Sequence, residues 1–222
     1  MKTGLASHPE LGQVPFRSEP MSDWPDDQVA FTIERMRKFA VVSAITPELQ
    51  RDLRKALELS DGEPLTGIHR FVRQSLRFAE DEDTLASVIG EIPDRETTIE
   101  TLIAPVDLSD AIDAGLTPSE DCDGFATYVA ALLETAGIPC AFVTVAADAD
   151  DKSRFSHVYV VAYPIEGVRI PIDASHGPHV GWEVPNRFGR RREWPLRQTK
   201  QWWKTVALIA VLGGAVWIGT RD

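Results

Sequence analysis

Between Pro118 and Pro139 the chain spells out one amphipathic helix with both its start and its stop. Phe125, Val129, Leu132 and Leu133 recur at helical spacing and form one apolar stripe, and Gly137 followed by Pro139 ends it. Cys122 then stands at or just before the first helical turn. A thiol there meets unpaired backbone N–H groups and the positive end of the helix dipole, both of which favour thiolate. Asp121 and Asp123 oppose this by their negative charge, unless one of them caps the helix and turns its carboxylate away from the sulfur.

Three apolar, β-rich runs follow at 140–146, 156–163 and 168–173, the last two joined by the turn Pro164-Ile165-Glu166-Gly167. A hairpin centred on that turn brings His157 and Asp173 within one residue of direct opposition. Cross-strand neighbours hold their Cβ atoms about 4.5–5.5 Å apart, so imidazole and carboxylate are placed to hydrogen-bond. A histidine oriented in this way can take a thiol proton and later deliver it to a leaving group. Cys122 as nucleophile, His157 as base and acid, and Asp173 as orienter are therefore the candidate catalytic residues. Singly, each has a plainer reading: a small buried hydrophobe, a polar strand edge, a strand end. Helix start, hairpin register and chain order together favour catalysis.

Helices occupy the chain ahead of this unit. Val29, Ile33, Met36, Phe39, Ala40 and Val41 suit a helix over 27–44. Thr46-Pro47-Glu48 is a helix start, and Leu49, Leu53, Ala56 and Leu57 then share a face until Ser60-Asp61-Gly62. Ile68, Phe71, Val72 and Leu76 make a third helix closed by the acidic loop 80–83, and Ser109 is placed to cap a short helix through Ala114-Gly115. Helices followed by an antiparallel sheet define an α+β fold.

The composition sets the partners. With 43% hydrophobic and 26% charged residues, the chain of 222 has enough apolar content for a packed core. Residues 1–186 carry 15 basic against 32 acidic side chains, whereas 187–222 carry 8 against 2. An acidic main body repels phosphate, so no nucleic acid is expected as partner. Two cysteines exclude a disulfide framework and a four-thiolate zinc site, leaving one Cys122–Cys140 bridge conceivable. The segment His176-x-x-His179, joined by Asp173 or Cys122, is a weak zinc signal, and neither metal nor cofactor is expected. Cys140 reads as core, and His8 and His69 as surface residues. Trp182 and Trp194 read as covers of the core, with the lining of a substrate groove as the alternative.

The two ends differ. Residues 1–26 mix Gly, Pro, Ser and Asp without a period and read as an extended or flexible arm, with no apolar stretch that would make a signal peptide. Residues 205–220 carry no charge and follow Trp202-Trp203-Lys204. As a helix they span about 24 Å, and with Lys204 reaching to the headgroups they read as a membrane anchor. A buried core helix is the plainer alternative. The basic residues Arg190, Arg191, Arg192, Arg197, Lys200 and Lys204 all precede the span, which puts the main body on the cytoplasmic side and suits anionic headgroups.

The run Asp-Cys122-Asp-Gly-Phe-Ala-Thr-Tyr-Val-Ala-Ala-Leu-Leu-Glu-Thr-Ala-Gly137-Ile-Pro resembles the nucleophile helix of the transglutaminase-like (papain-fold) cysteine-enzyme superfamily. Ser-His157-Val-Tyr-Val and Ile-Pro-Ile-Asp173-Ala resemble that family's second and third motifs. The resemblance covers roughly residues 65–185 and extends to the segment Ile68 to Phe78 with Glu80-Asp81. Helices at 27–60 ahead of such a domain are more weakly similar to small members in phages and prophages.

The resemblance implies a nucleophile helix packed on an antiparallel sheet and acyl transfer from a peptide or protein substrate through a thioester, with hydrolysis favoured over transamidation. The Cys122 N–H is the evident oxyanion donor, and no second one stands out. The chain then divides into a flexible arm (1–26), a helical region (27–62), a catalytic domain (63–186), a basic linker (187–204) and an anchor (205–220). The competing reading is an inactive scaffold or virion component with the same fold.

Overall fold

The structure is a computed structural model, and it describes residues 2–8, 12–18, 25–80, 101–149, 154–187 and 189–197. Five α-helices lie among them: α1 (Pro25–Ser43), α2 (Pro47–Glu58), α3 (Pro64–Ser75), α4 (Pro105–Asp113) and α5 (Cys122–Thr135). The strands are β1 (Lys2–His8), β2 (Gly12–Ser18), β3 (Arg77–Phe78), β4 (Ser119–Glu120), β5 (Cys140–Val145), β6 (His157–Ala162), β7 (Ile170–Ile172) and β8 (Arg191–Pro195). The architecture is mixed α+β, with an antiparallel sheet in the order β7-β6-β5-β8.

Helix α5 is the centre of the molecule. Residues 123–133 are all buried. One side of the helix meets β5 and β6, and α1, α2 and α3 pack around the rest. Its start is fixed by Asp121, whose Oδ1 accepts from the N–H groups of Asp123 (3.0 Å) and Gly124 (3.4 Å). Its end is a Schellman motif: Gly137 adopts φ 69°, and Ile138 N–H returns to Leu133 O at 2.8 Å. Only glycine takes that backbone region without a Cβ penalty.

Alternation divides the sheet into two faces. Cys140, Phe142, Val158, Val160, Ala162, Ile172 and Trp194 join the main core with α5, while Ala141, Val143, Val145, Tyr159 and Val161 form a second apolar cluster. On that second side Arg169 bridges two buttresses. It pairs with Glu183 (2.6 Å) and Glu193 (2.7 Å), carboxylates that also accept the hydroxyls of Tyr159 and Tyr163.

A buried polar junction ties the helices together. Asp52 on α2 is fully buried and accepts from Ser109 of α4 (2.5 Å) and Tyr128 of α5 (2.6 Å), with Lys55 at 3.4 Å. Burial and the Asp52 charge push the Tyr128 hydroxyl well above its ordinary pKa, so it stays a neutral donor. Thr46 caps α2, as its position before Pro47 predicts. Ser109 does not cap: Pro105 starts α4 a turn earlier, and the hydroxyl turns inward to Asp52.

Several expectations change. Within the N-terminal arm, Lys2–His8 pairs antiparallel with Gly12–Ser18, backbone pairing that needs no hydrophobic period. The third helix ends at Ser75, because Leu76 is extended and leads into β3 rather than continuing to Phe78. The segment assigned as a basic linker contains β8, with Trp194 and Leu196 buried against the core. Four of its arginines have partners inside the molecule: Arg190 with Asp26, Arg191 with Glu183, Arg192 over Trp194, and Arg197 with Glu134. Cys122 and Cys140 are free thiols. The helix between them separates their ends by about 20 Å, which precludes a bridge. The expected anchor at 205–220 lies outside the described residues, and among the described residues no helix is long and apolar enough to cross a membrane.

Candidate active site

Cys122 is the first residue of α5 and half-buried against the core. Of its two acidic neighbours Asp121 is the helix cap, and Asp123 is buried within the first turn. Asp121 spends its carboxylate on the N–H groups of Asp123 and Gly124, two of the helix-tip donors. Asp121 thus caps the second and third residues of α5, and Cys122 stands at the helix tip ahead of them.

His157 opens β6 and Asp173 lies one residue past β7. Val160 faces Ile172, one position away from the register that the turn predicts, so His157 and Asp173 are diagonal neighbours rather than directly opposed. Diagonal positions remain within reach of long side chains. His157 Nε2 lies 2.8 Å from Asp173 Oδ2, with both side chains buried. Asp173 Oδ1 accepts the Ser175 hydroxyl (2.9 Å) and the His176 N–H (3.0 Å). Burial pushes the Asp173 carboxyl up, but the His157 hydrogen bond and charge with these two donors outweigh it and hold the carboxyl below its ordinary pKa. An ionised Asp173 accepts the Nε2 proton, which leaves Nδ1 as the basic nitrogen of His157.

A continuous line of rings connects this pair to the tip of α5. Phe125, in the first turn of α5, lies 6.3 Å from Phe78 between centroids. Phe78 meets His176 edge-on at 4.9 Å, and His176 meets His157 edge-on at 4.8 Å. The parallel pairing of β3 with β4 fixes Phe78 in this line, since β4 runs directly into the Asp121 cap.

The loop carrying Asp173 is held from α3. His69 Nε2 donates to Gly177 O at 3.0 Å, and Arg73 donates to Ala174 O (3.3 Å) and Gly177 O (3.1 Å). His69 is therefore buried, not a surface residue. Burial lowers its pKa and favours the neutral ring that makes this bond. His69 and Arg73 stand four residues apart on one helix face, a spacing the sequence displayed without showing what that face would meet.

The remaining sequence candidates separate. Cys140 lies in the core, where burial pushes its thiol far up and makes it inert. Trp194 is buried, with its indole N–H on Thr144 Oγ1 at 3.0 Å. His179 gives its Nδ1 proton to Val180 O at 2.9 Å and does not join His176. The group of possible metal donors is instead His157, Asp173 and His176.

No protein-family model matches the chain, and no curated protein matches it.

Proposed function

We propose that this chain is a transglutaminase-like cysteine hydrolase of the peptidase or amidase type, tethered to a membrane by residues 205–220 with its main domain on the cytoplasmic side. The observation that carries the reading is the buried Asp173–His157 hydrogen bond, joined through His176 and Phe78 to the helix tip where Cys122 sits.

In this reading His157 Nδ1 takes the Cys122 thiol proton, and the thiolate sulfur bonds to the substrate carbonyl carbon. The Cys122 N–H supports the oxyanion. The imidazolium then gives its proton to the departing amine as the carbon–nitrogen bond breaks, leaving a thioester. Water, deprotonated by the same nitrogen, releases the acid and restores the thiol. Asp173 keeps the proton on Nε2 throughout and stabilises the imidazolium. The resemblance of the three motifs to the transglutaminase-like superfamily supports the same assignment.

The test is incubation of the full chain in detergent with a peptide library, with and without a primary amine, read by mass spectrometry. Hydrolysed product that disappears in Cys122→Ala is the expected result. Amine-linked product would make the protein an acyltransferase, and product formation that survives Cys122→Ala would overturn the proposal.

A further inference from the structure

His157, Asp173 and His176 each present one donor atom, and the three lie within 4.8 Å of one another. Two imidazoles and one carboxylate are a donor set that suits zinc and its neighbours in the first transition row. Hydrogen bonding decides where their lone pairs are. The single proton of the Ser175 hydroxyl goes to Asp173 Oδ1, so Ser175 Oγ itself accepts from His176 Nδ1 at 3.0 Å. His176 is thereby the Nδ1–H tautomer and keeps an unprotonated Nε2. It sits on an exposed loop edge-on to His157, so it can approach from the solvent side.

We infer that His157, Asp173 and His176 form a binding site for a divalent transition-metal ion of the zinc type, one that takes the place of the proton shared between His157 and Asp173. A tetrahedral zinc with ligands at about 2.0–2.1 Å needs its donors about 3.3 Å apart. The His157–Asp173 pair, at 2.8 Å, therefore opens by about 0.5 Å, and the larger movement, a closure of about 1.5 Å at most, falls to His176, the exposed member. Binding exchanges waters of the aquated ion for the three side chains, breaks the His157–Asp173 hydrogen bond, and moves the His157 proton from Nε2 to Nδ1 by exchange with water. The nitrogen that serves as base in the proposed hydrolase then carries a proton, so metal and catalysis exclude each other. Water completes the coordination shell. The site itself needs neither Cys122 nor catalytic activity.

The test uses full-length Cys122→Ala protein, which removes the thiol as a competing ligand and leaves the hydrolase reading untouched by the outcome. Zn²⁺ is titrated in competition with a chromogenic chelator, and Co²⁺ is followed by its visible absorption. One equivalent should bind. His176→Ala and Asp173→Asn in this background should each weaken binding at least about tenfold, and His179→Ala should leave it unchanged. His176 is exposed, so its removal does not threaten the fold, and circular dichroism of each variant verifies this. An absence of Zn²⁺ binding by Cys122→Ala, or equal affinity with and without His176, overturns the inference.

Discussion

His69 on α3 donates its Nε2 proton to the carbonyl oxygen of Gly177, 3.0 Å away and four positions beyond Asp173. A residue 108 positions earlier in the chain thus fixes the loop that carries the carboxylate of the candidate site. Burial holds the His69 pKa below its ordinary value, with the Arg73 charge adding to this and the contacts to Gly177 and Asp173 opposing it. The folded state therefore binds fewer protons than the unfolded one at this ring. The stability it contributes is complete above the unfolded pKa of about 6.5 and is lost as pH falls through the lower folded value. His69→Gln should flatten the stability profile below about pH 6.5, measured by urea unfolding from pH 7.5 to 5.

Gly177 tolerates no side chain. A Cβ built there would lie 2.6 Å from Asp173 O and 3.0 Å from Trp182 Cε3, and the first of these is backbone. Gly177→Ala should shift the 173–177 loop, cost about 1–3 kcal/mol, and slow alkylation of Cys122. Helical content by circular dichroism should remain that of the parent protein.

Asp52 joins three helices at one buried carboxylate. Asp52→Ala leaves the Ser109 and Tyr128 hydroxyls without their acceptor, a loss of about 2–4 kcal/mol. Thermal unfolding should show a clear drop in Tm. Asp113→Ala, which removes only a half-exposed partner of Arg51 and Lys55, should leave the Tm nearly unchanged.

Arg169 holds Glu183 and Glu193 below their ordinary pKa values. Burial raises both carboxyls, and hydrogen bonds from Arg169 and from Tyr159 or Tyr163 outweigh it. With folded pKa values depressed, this stability is present above the unfolded value of about 4.3 and lost as pH falls through the folded values. Arg169→Met should reduce the acid sensitivity of unfolding below about pH 4.5 while costing about 1 kcal/mol or less at neutral pH, since the cluster is partly solvated.

The central helix was legible because its apolar period, its cap and its Gly-Pro ending are all local signals. The β5–β6–β7 runs were legible for the same reason, and the turn length nearly gave the register. The one-position slip arose because Ile170 to Ile172 pair and the connection is longer than four residues, which turn composition alone does not reveal. What stayed hidden depends on distant partners. β8 has only one buried side chain, Trp194, and reads as basic coil until β5 is beside it. His69, Arg73, Phe78 and His176 acquire meaning only when α3, β3 and the 173–177 loop converge on the tip of α5.

The most direct measurement is the pH dependence of Cys122 alkylation by iodoacetamide in Cys140→Ala protein, with and without His157→Ala. The account predicts a reaction that is already fast well below the free-thiol pKa of about 8.5, with the profile moving back towards about 8.5 once His157 is removed. Superimposable profiles centred near about 8.5, or no labelling at either pH extreme, would contradict it.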